Sequence, residues 1–279
     1  MSLHSLDHFS LYKDLCQYGA SPQKCRGPKR ERHKYEIALL GGSETFGKYV
    51  DRPFAHILED ISGEVCVNLG CCDLGLDALM ADEDLLQVAD RAQHVVIQVL
   101  SATHLTNPFY RVHPRRNDRF LEPTQTLREL FPEVDFTHFH FARHLLAELQ
   151  SRSPKRFEKV VEALQLIWLR KMGALTERFN GRVTLLWLQY STPATGKGAI
   201  GPHSQLINRR MIDELRPRVS GVVDVTLRPA GVAGELGYKE SGPSSLPAAA
   251  HMPGQASHYE VAEVLQRGLD ISFDMKRPA

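Results

Sequence analysis

The segment Gly41-Gly42-Ser43-Glu44-Thr45-Phe46-Gly47-Lys48-Tyr49 concentrates reactive residue types within a 279-residue chain, and it supports two different chemistries. From Gly42 to Gly47-Lys48 it matches most of a phosphate-cradling loop, in which backbone N–H groups and a lysine hold phosphates and a following Ser or Thr holds magnesium. Tyr49 stands at that last position and is a poor magnesium ligand. Asp51-Arg52-Pro53 also defers the helix that such a loop should start at once. Around Ser43, the same loop presents a hydroxyl nucleophile on a tight Gly-Gly turn, which requires a general base and oxyanion donors from other loops. The plainer role for Ser43 is a capping or turn hydroxyl.

A second cluster, Arg111-Val-His-Pro-Arg115-Arg116-Asn-Asp-Arg119, offers guanidinium groups that hold carboxylate, sulfate or phosphate in bidentate fashion. It favours an anionic substrate; the same arginines could instead anchor loops by pairing with Asp118, Glu122 and Glu129. His140 and His144 have the i,i+4 spacing of zinc ligands on a helix, but no third ligand is evident and the alternating aromatic residues suit core packing. Cys16, Cys25, Cys66, Cys71 and Cys72 are odd in number and lack the C-x-x-C spacing, so free thiols are expected, with neither a disulfide nor a zinc cluster; no cofactor is expected for the chain. Cys71 and Cys72 read as small apolar residues rather than nucleophiles.

These residues need elements to position them. Apolar strand-sized runs occur at Tyr35–Leu40, Val65–Leu69, His94–Leu100, Val183–Leu188 and Val222–Thr226. Between them, helical spacing is found after Pro53 (Phe54, Ile57, Leu58, Ile61), over Asp77–Ala92, Pro154–Phe179 and Ile207–Leu215, and over Tyr259–Gly268, where the glycine is expected to end the helix. Residues 1–33 read as a polar, basic, solvated arm, residues 34–279 as one domain, and about 101–153 as a less regular insertion. Alternating apolar strands and helices predict a doubly wound α/β fold with a parallel sheet covered on both faces. Ligands then bind beyond the carboxyl ends of the strands, where loops starting at Gly41, Gly70, Ser101, Gln189 and Leu227 converge.

Composition agrees with a globular chain: 42% of residues are apolar, 24% are charged, and the formal net charge is +1. This excludes collagen-like, coiled-coil and disordered classes and gives no global field for nucleic acid or a membrane surface. No apolar run reaches the roughly 20 residues of a membrane span. The first residues lack the pattern of a secretory signal, so a soluble cytoplasmic location is expected.

The blocks GGSETFGKYVDRPFAHILED and VCVNLGCCDLG resemble the first two blocks of the SGNH (GDSL-type) hydrolases: a Gly-Asp-Ser-x-[Thr/Ser]-x-Gly turn, a helix, then a strand ending Asn-x-Gly. The resemblance covers about residues 35–100, and residues 245–268 by pattern. It implies a three-layer α/β/α sandwich with five parallel strands and a serine esterase or acyltransferase acting on an ester of a carbohydrate or other anionic substrate. It further implies Ser43 as nucleophile, Gly70 as an oxyanion N–H donor, Asn107 as the nearest amide donor (Thr103 lying closer in position), and His251 or His258 as base. Arg111, Arg115 and Arg116 are then the candidate substrate-binding residues. Gly42 replaces the family's aspartate, and Ala248 or Gln255 stands where an aspartate would orient the histidine. A serine–histidine pair without that carboxylate loses only part of the rate enhancement. The alternative function is a non-catalytic or sulfo/nucleotide-binding transferase module that uses the Gly42–Lys48 loop and the Arg111–Arg119 cluster.

Overall fold

Runs such as Val95-Val96-Ile97 have no polar alternation, so both faces of the strand must be covered, and a sheet of such strands requires helices on either side. The computed structural model of the chain, which describes residues 15–30, 35–190, 205–228 and 251–274, has this arrangement. The elements begin with a hairpin of β1 (Leu15–Cys16) and β2 (Cys25–Arg26), followed by β3 (Tyr35–Gly41), α1 (Ser43–Phe46), α2 (Phe54–Ser62) and β4 (Cys66–Gly70). Next come α3 (Leu76–Met80), α4 (Glu83–Asp90) and β5 (Ala92–Gln98). The less regular region holds β6 (Tyr110–Val112), β7 (Phe120–Pro123), α5 (Gln125–Leu130) and α6 (Ala142–Arg152). The chain continues with α7 (Pro154–Arg178), β8 (Val183–Tyr190), α8 (Arg209–Leu215), β9 (Gly221–Leu227) and α9 (Gln255–Asp274).

The central sheet has the order β4-β3-β5-β8-β9 and all its pairs are parallel. Side chains alternate between its faces. Leu40, Val95 and Ile97 pack with Leu85 and Leu86 of α4 and Trp168 of α7, while Leu39, Val96 and Leu186 pack with Ile57 of α2 and Leu265 of α9. The result is a three-layer α/β/α architecture. Winding runs outward from β3 to β4 on one side and through β5 to β9 on the other, so the direction reverses between β3 and β5, where a crevice opens at the carboxyl ends. Trp168 pins the far side of that crevice by donating Nε1–H to the Leu100 carbonyl at 2.7 Å. No helix among the described residues is long and apolar enough to cross a membrane.

Three local expectations change. The helix expected over Asp77–Ala92 is two helices, because Asp82 caps α4 by accepting from the Leu85 N–H and is itself held by the Ser21 hydroxyl. Gly268 lies inside α9 rather than ending it: a Cβ there would stand 2.4 Å from Val223 Cγ2, so its glycine character lets the helix approach β9. The basic arm is no solvated tail over residues 15–30, since Cys16, Tyr18, Cys25 and Arg26 are buried.

Burial of Arg26 has a purpose. Its guanidinium donates to the carbonyls of Gly47 (3.2 Å), Val50 (3.4 Å) and Asp51 (3.0 Å), fixing the chain that leaves α1. Arg26→Ala should therefore lower stability by about 2–4 kcal/mol, since it strips donors from buried carbonyls. Urea denaturation reads this directly, and a loss below ~1 kcal/mol would show that the loop holds itself.

Candidate active site

β3 delivers its carboxyl end into the crevice at Gly41, and the next residues are locked by Gln98 at the end of β5. The Gln98 Oε1 accepts the Gly42 N–H (2.9 Å) and the Thr45 hydroxyl (2.6 Å), and its Nε2 donates to Glu44 (2.8 Å). Glu44 in turn accepts the Tyr190 hydroxyl from β8 at 3.0 Å. Burial and this carboxylate push the Tyr190 pKa up, so it remains a neutral phenol. Three strands thereby hold one short turn, with Ser43 as the first residue of α1.

The Ser43 Oγ accepts the backbone N–H of Asp73 at 3.0 Å. Asp73 has a φ of 58°, in the left-handed region that aspartate and asparagine enter more readily than other non-glycine residues. This conformation turns its N–H toward Ser43 while its carboxylate accepts from Arg116 Nη2 at 3.0 Å. A cavity of about 190 Å³ opens beside the pair, lined also by Thr103, His104, Arg143 and Met252. Burial pushes the His104 pKa down to about 4, with Arg143 acting in the same direction and Asp73 against it, so this imidazole is neutral at pH 7.

The phosphate-loop chemistry finds no support in this geometry. Helix α1 starts at Ser43 rather than at Gly47-Lys48, and it closes after one turn at Gly47, whose φ is 73°. The N–H groups of Phe46, Gly47 and Lys48 are spent on the Gly42 and Ser43 carbonyls. Burial opposes the charge on Lys48, but Asp73, Tyr49 and Cys72 outweigh it and raise its pKa. Burial also pushes the Cys72 thiol up to about 12, so it is no thiolate nucleophile at neutral pH.

Several residues expected at the site are employed elsewhere. The Gly70 N–H goes to Asn68 Oδ1 at 2.9 Å, and a Cβ at Gly70 would lie 2.4 Å from the Phe46 backbone nitrogen; the residue permits close approach of β4 and α1. Asn107 braces a buried turn, its Nδ2 on the Leu105 carbonyl and its Oδ1 accepting from Phe109 and Tyr110 N–H. His258 is buried against the Phe54 ring, and its Nδ1 accepts the Phe54 N–H at 3.0 Å. It caps α2, where Pro53 provides no side-chain cap.

His251 lies on an exposed turn, next in sequence to Met252 of the cavity lining. Arg111 points to Glu122 at 3.5 Å, whereas Arg115 and Arg116 line a second cavity that also includes Asp73. His140 precedes α6 and His144 lies within it, so the pair does not share a helix; among the described residues no group of three His, Cys, Asp or Glu side chains could hold a metal.

Asp73 and His104 border the cavity and were not singled out from the sequence. A signal existed for each: aspartate tolerates positive φ in the turn after β4, and His104 follows β5 on a loop that the strand order sends to the crevice.

Fold and site together define a doubly wound α/β protein with a serine at the topological switch point. Residues 1–272 match the family described as domain of unknown function (DUF6473), and the chain belongs to that family. No curated protein matches it. Similar solved structures include a protein described as lipolytic, of the G-D-S-L family, from Desulfitobacterium hafniense DCB-2, at 14% identity and a TM-score of 0.41, over 84% of this chain and 99% of that one. A two-domain esterase active on acetylated mannans is similar at 16% identity and a TM-score of 0.37, over 88% of this chain and 51% of that one. A lipase/acylhydrolase from Enterococcus faecalis is similar at 15% identity and a TM-score of 0.36, over 86% of this chain and 96% of that one.

Proposed function

We propose that the chain is a serine esterase or acyltransferase of SGNH type, acting on an ester of a carbohydrate or other anionic molecule. The observation that carries this reading is the Ser43 hydroxyl on the Asp73 N–H, at the edge of an open cavity. Ser43 Oγ attacks the ester carbonyl carbon while the His251 imidazole takes its proton. The carbonyl oxygen becomes an oxyanion, and the Asp73 N–H is a preformed donor for it. Collapse expels the alcohol, which takes the proton back from the imidazolium. Water or an acceptor hydroxyl then attacks the acyl-serine by the same steps in reverse.

A fluorophosphonate probe tests this. The wild-type chain should be labelled at Ser43, Ser43→Ala should not be, and His251→Ala should be labelled roughly 10²-fold more slowly. His104→Ala should keep most of the rate. The absence of label on the wild type, under conditions that label a control serine hydrolase, rejects the proposal.

A further inference from the structure

Asp73 is a wall shared by two cavities. Its N–H faces Ser43 on one side, and on the other its carboxylate meets Arg116, which lines a separate hollow of about 390 Å³. That hollow lies between the β1–β2 hairpin, which contributes Lys24, and the loop before β7, which contributes His113, Arg115 and Arg116. Two of these cationic groups are not offset: Arg116 is paired with Asp73, but among the described residues no carboxylate pairs with Lys24 or Arg115. The loop is also preorganised. His113 Nδ1 accepts the backbone N–H of both Arg115 (3.2 Å) and Arg116 (3.1 Å), which leaves the ring proton on Nε2 as a further donor.

We infer that this second cavity is a subsite for an anionic oxygen group, a phosphate, sulfate or carboxylate, held by Arg115, Lys24 and His113. A guanidinium offers the forked donor pair that such groups accept, and the ammonium on the opposite wall adds a point charge. On the esterase reading, which this assignment of substrate class rests on, the anionic group belongs to the ester. The path from Ser43 Oγ through Asp73 to Arg116 comprises two 3.0 Å contacts and one residue, on the order of 10 Å in all. An anionic monosaccharide unit or a short charged acyl group spans such a gap.

Titration calorimetry of the full chain with inorganic phosphate, sulfate and acetate, at ionic strength held constant with chloride, tests the subsite. The expected result is one saturable site of about millimolar Kd for at least one of the three anions, retained in Ser43→Ala and weakened roughly tenfold in both Arg115→Ala and Lys24→Ala. Both substituted residues are exposed, and an unchanged thermal midpoint in chloride verifies that the variants fold. No saturable binding of any of the three, or equal binding by wild type and Arg115→Ala, overturns the subsite. For hydrolysis, the preference in kcat/KM for anionic over neutral esters with a matched leaving group should fall roughly tenfold in Arg115→Ala; an unchanged preference overturns the substrate assignment. Anion binding without fluorophosphonate labelling removes the esterase reading and keeps the subsite, whereas labelling without anion binding removes the subsite alone.

Discussion

Acidification from pH 7.5 to pH 4.5 is expected to cost the chain several kcal/mol of stability, mainly through two histidines held neutral by burial. His258 is pushed from 6.5 down to about 3 and His104 from 6.5 down to about 4. Below pH 6.5 the unfolded chain binds protons that the folded chain refuses. Stability is therefore complete above that value and falls as pH drops, by about 1.4 kcal/mol per pH unit for each group. Asp118, whose pKa burial raises, opposes the trend in part at the acid end. Urea midpoints at pH 7.5, 5.5 and 4.5 measure the slope. In His258→Gln, where an amide oxygen can still accept the Phe54 N–H, the slope should be clearly smaller, with His104 and His56, whose pKa burial also lowers, carrying the remainder. A wild-type midpoint that stays constant down to pH 5 would show that His258 and His104 are protonated without penalty.

Gly70→Ala should be strongly destabilising. Its Cβ would stand 2.4 Å from the Phe46 nitrogen and 2.6 Å from the Thr45 carbonyl carbon, both backbone atoms that no rotamer change can move. Either β4 or α1 must shift, at a cost of about 2–4 kcal/mol. Because α1 carries Ser43 and the turn after β4 carries Asp73, their alignment goes with it, and labelling at Ser43 should fall well beyond what the lost stability accounts for. Gly42→Ala is the control: its Cβ meets Leu100 Cδ2 and the Leu74 carbonyl at 3.4 Å, ordinary contacts that should cost under ~1 kcal/mol. Thermal melts together with labelling rates compare the two, and equal effects would reject the steric account.

The sheet was legible because its strands are short, apolar and flanked by glycine and polar turns, a pattern that few other structures satisfy. The place of Ser43 at the crevice was legible because a serine after Gly-Gly at the end of the first central strand has one natural destination in a doubly wound fold. Which backbone N–H meets Ser43 was not legible. Gly70 ends β4 and Asp73 lies three residues beyond it, and only the φ of Asp73 and the Asn68 contact of Gly70 distinguish which N–H faces Ser43.

The two late histidines present the same difficulty. His251 and His258 are both near the start of α9, yet the seven residues between them put one on the surface and turn the other inward onto α2. Arg26 illustrates a third limit, since a basic stretch looks solvated until its carbonyl partners 21 to 25 residues away are seen.

The hairpin that precedes the sheet has a practical implication. The backbone of Cys25 pairs with that of Cys71, two residues before Asp73, both cysteines being free thiols, while Arg26 clamps the exit from α1 and Lys24 walls the second hollow. A fragment trimmed to begin at β3 would keep every strand of the central sheet and still lose the brace behind the Ser43–Asp73 corner. Expression studies that prune this leader as dispensable would be assaying a damaged protein.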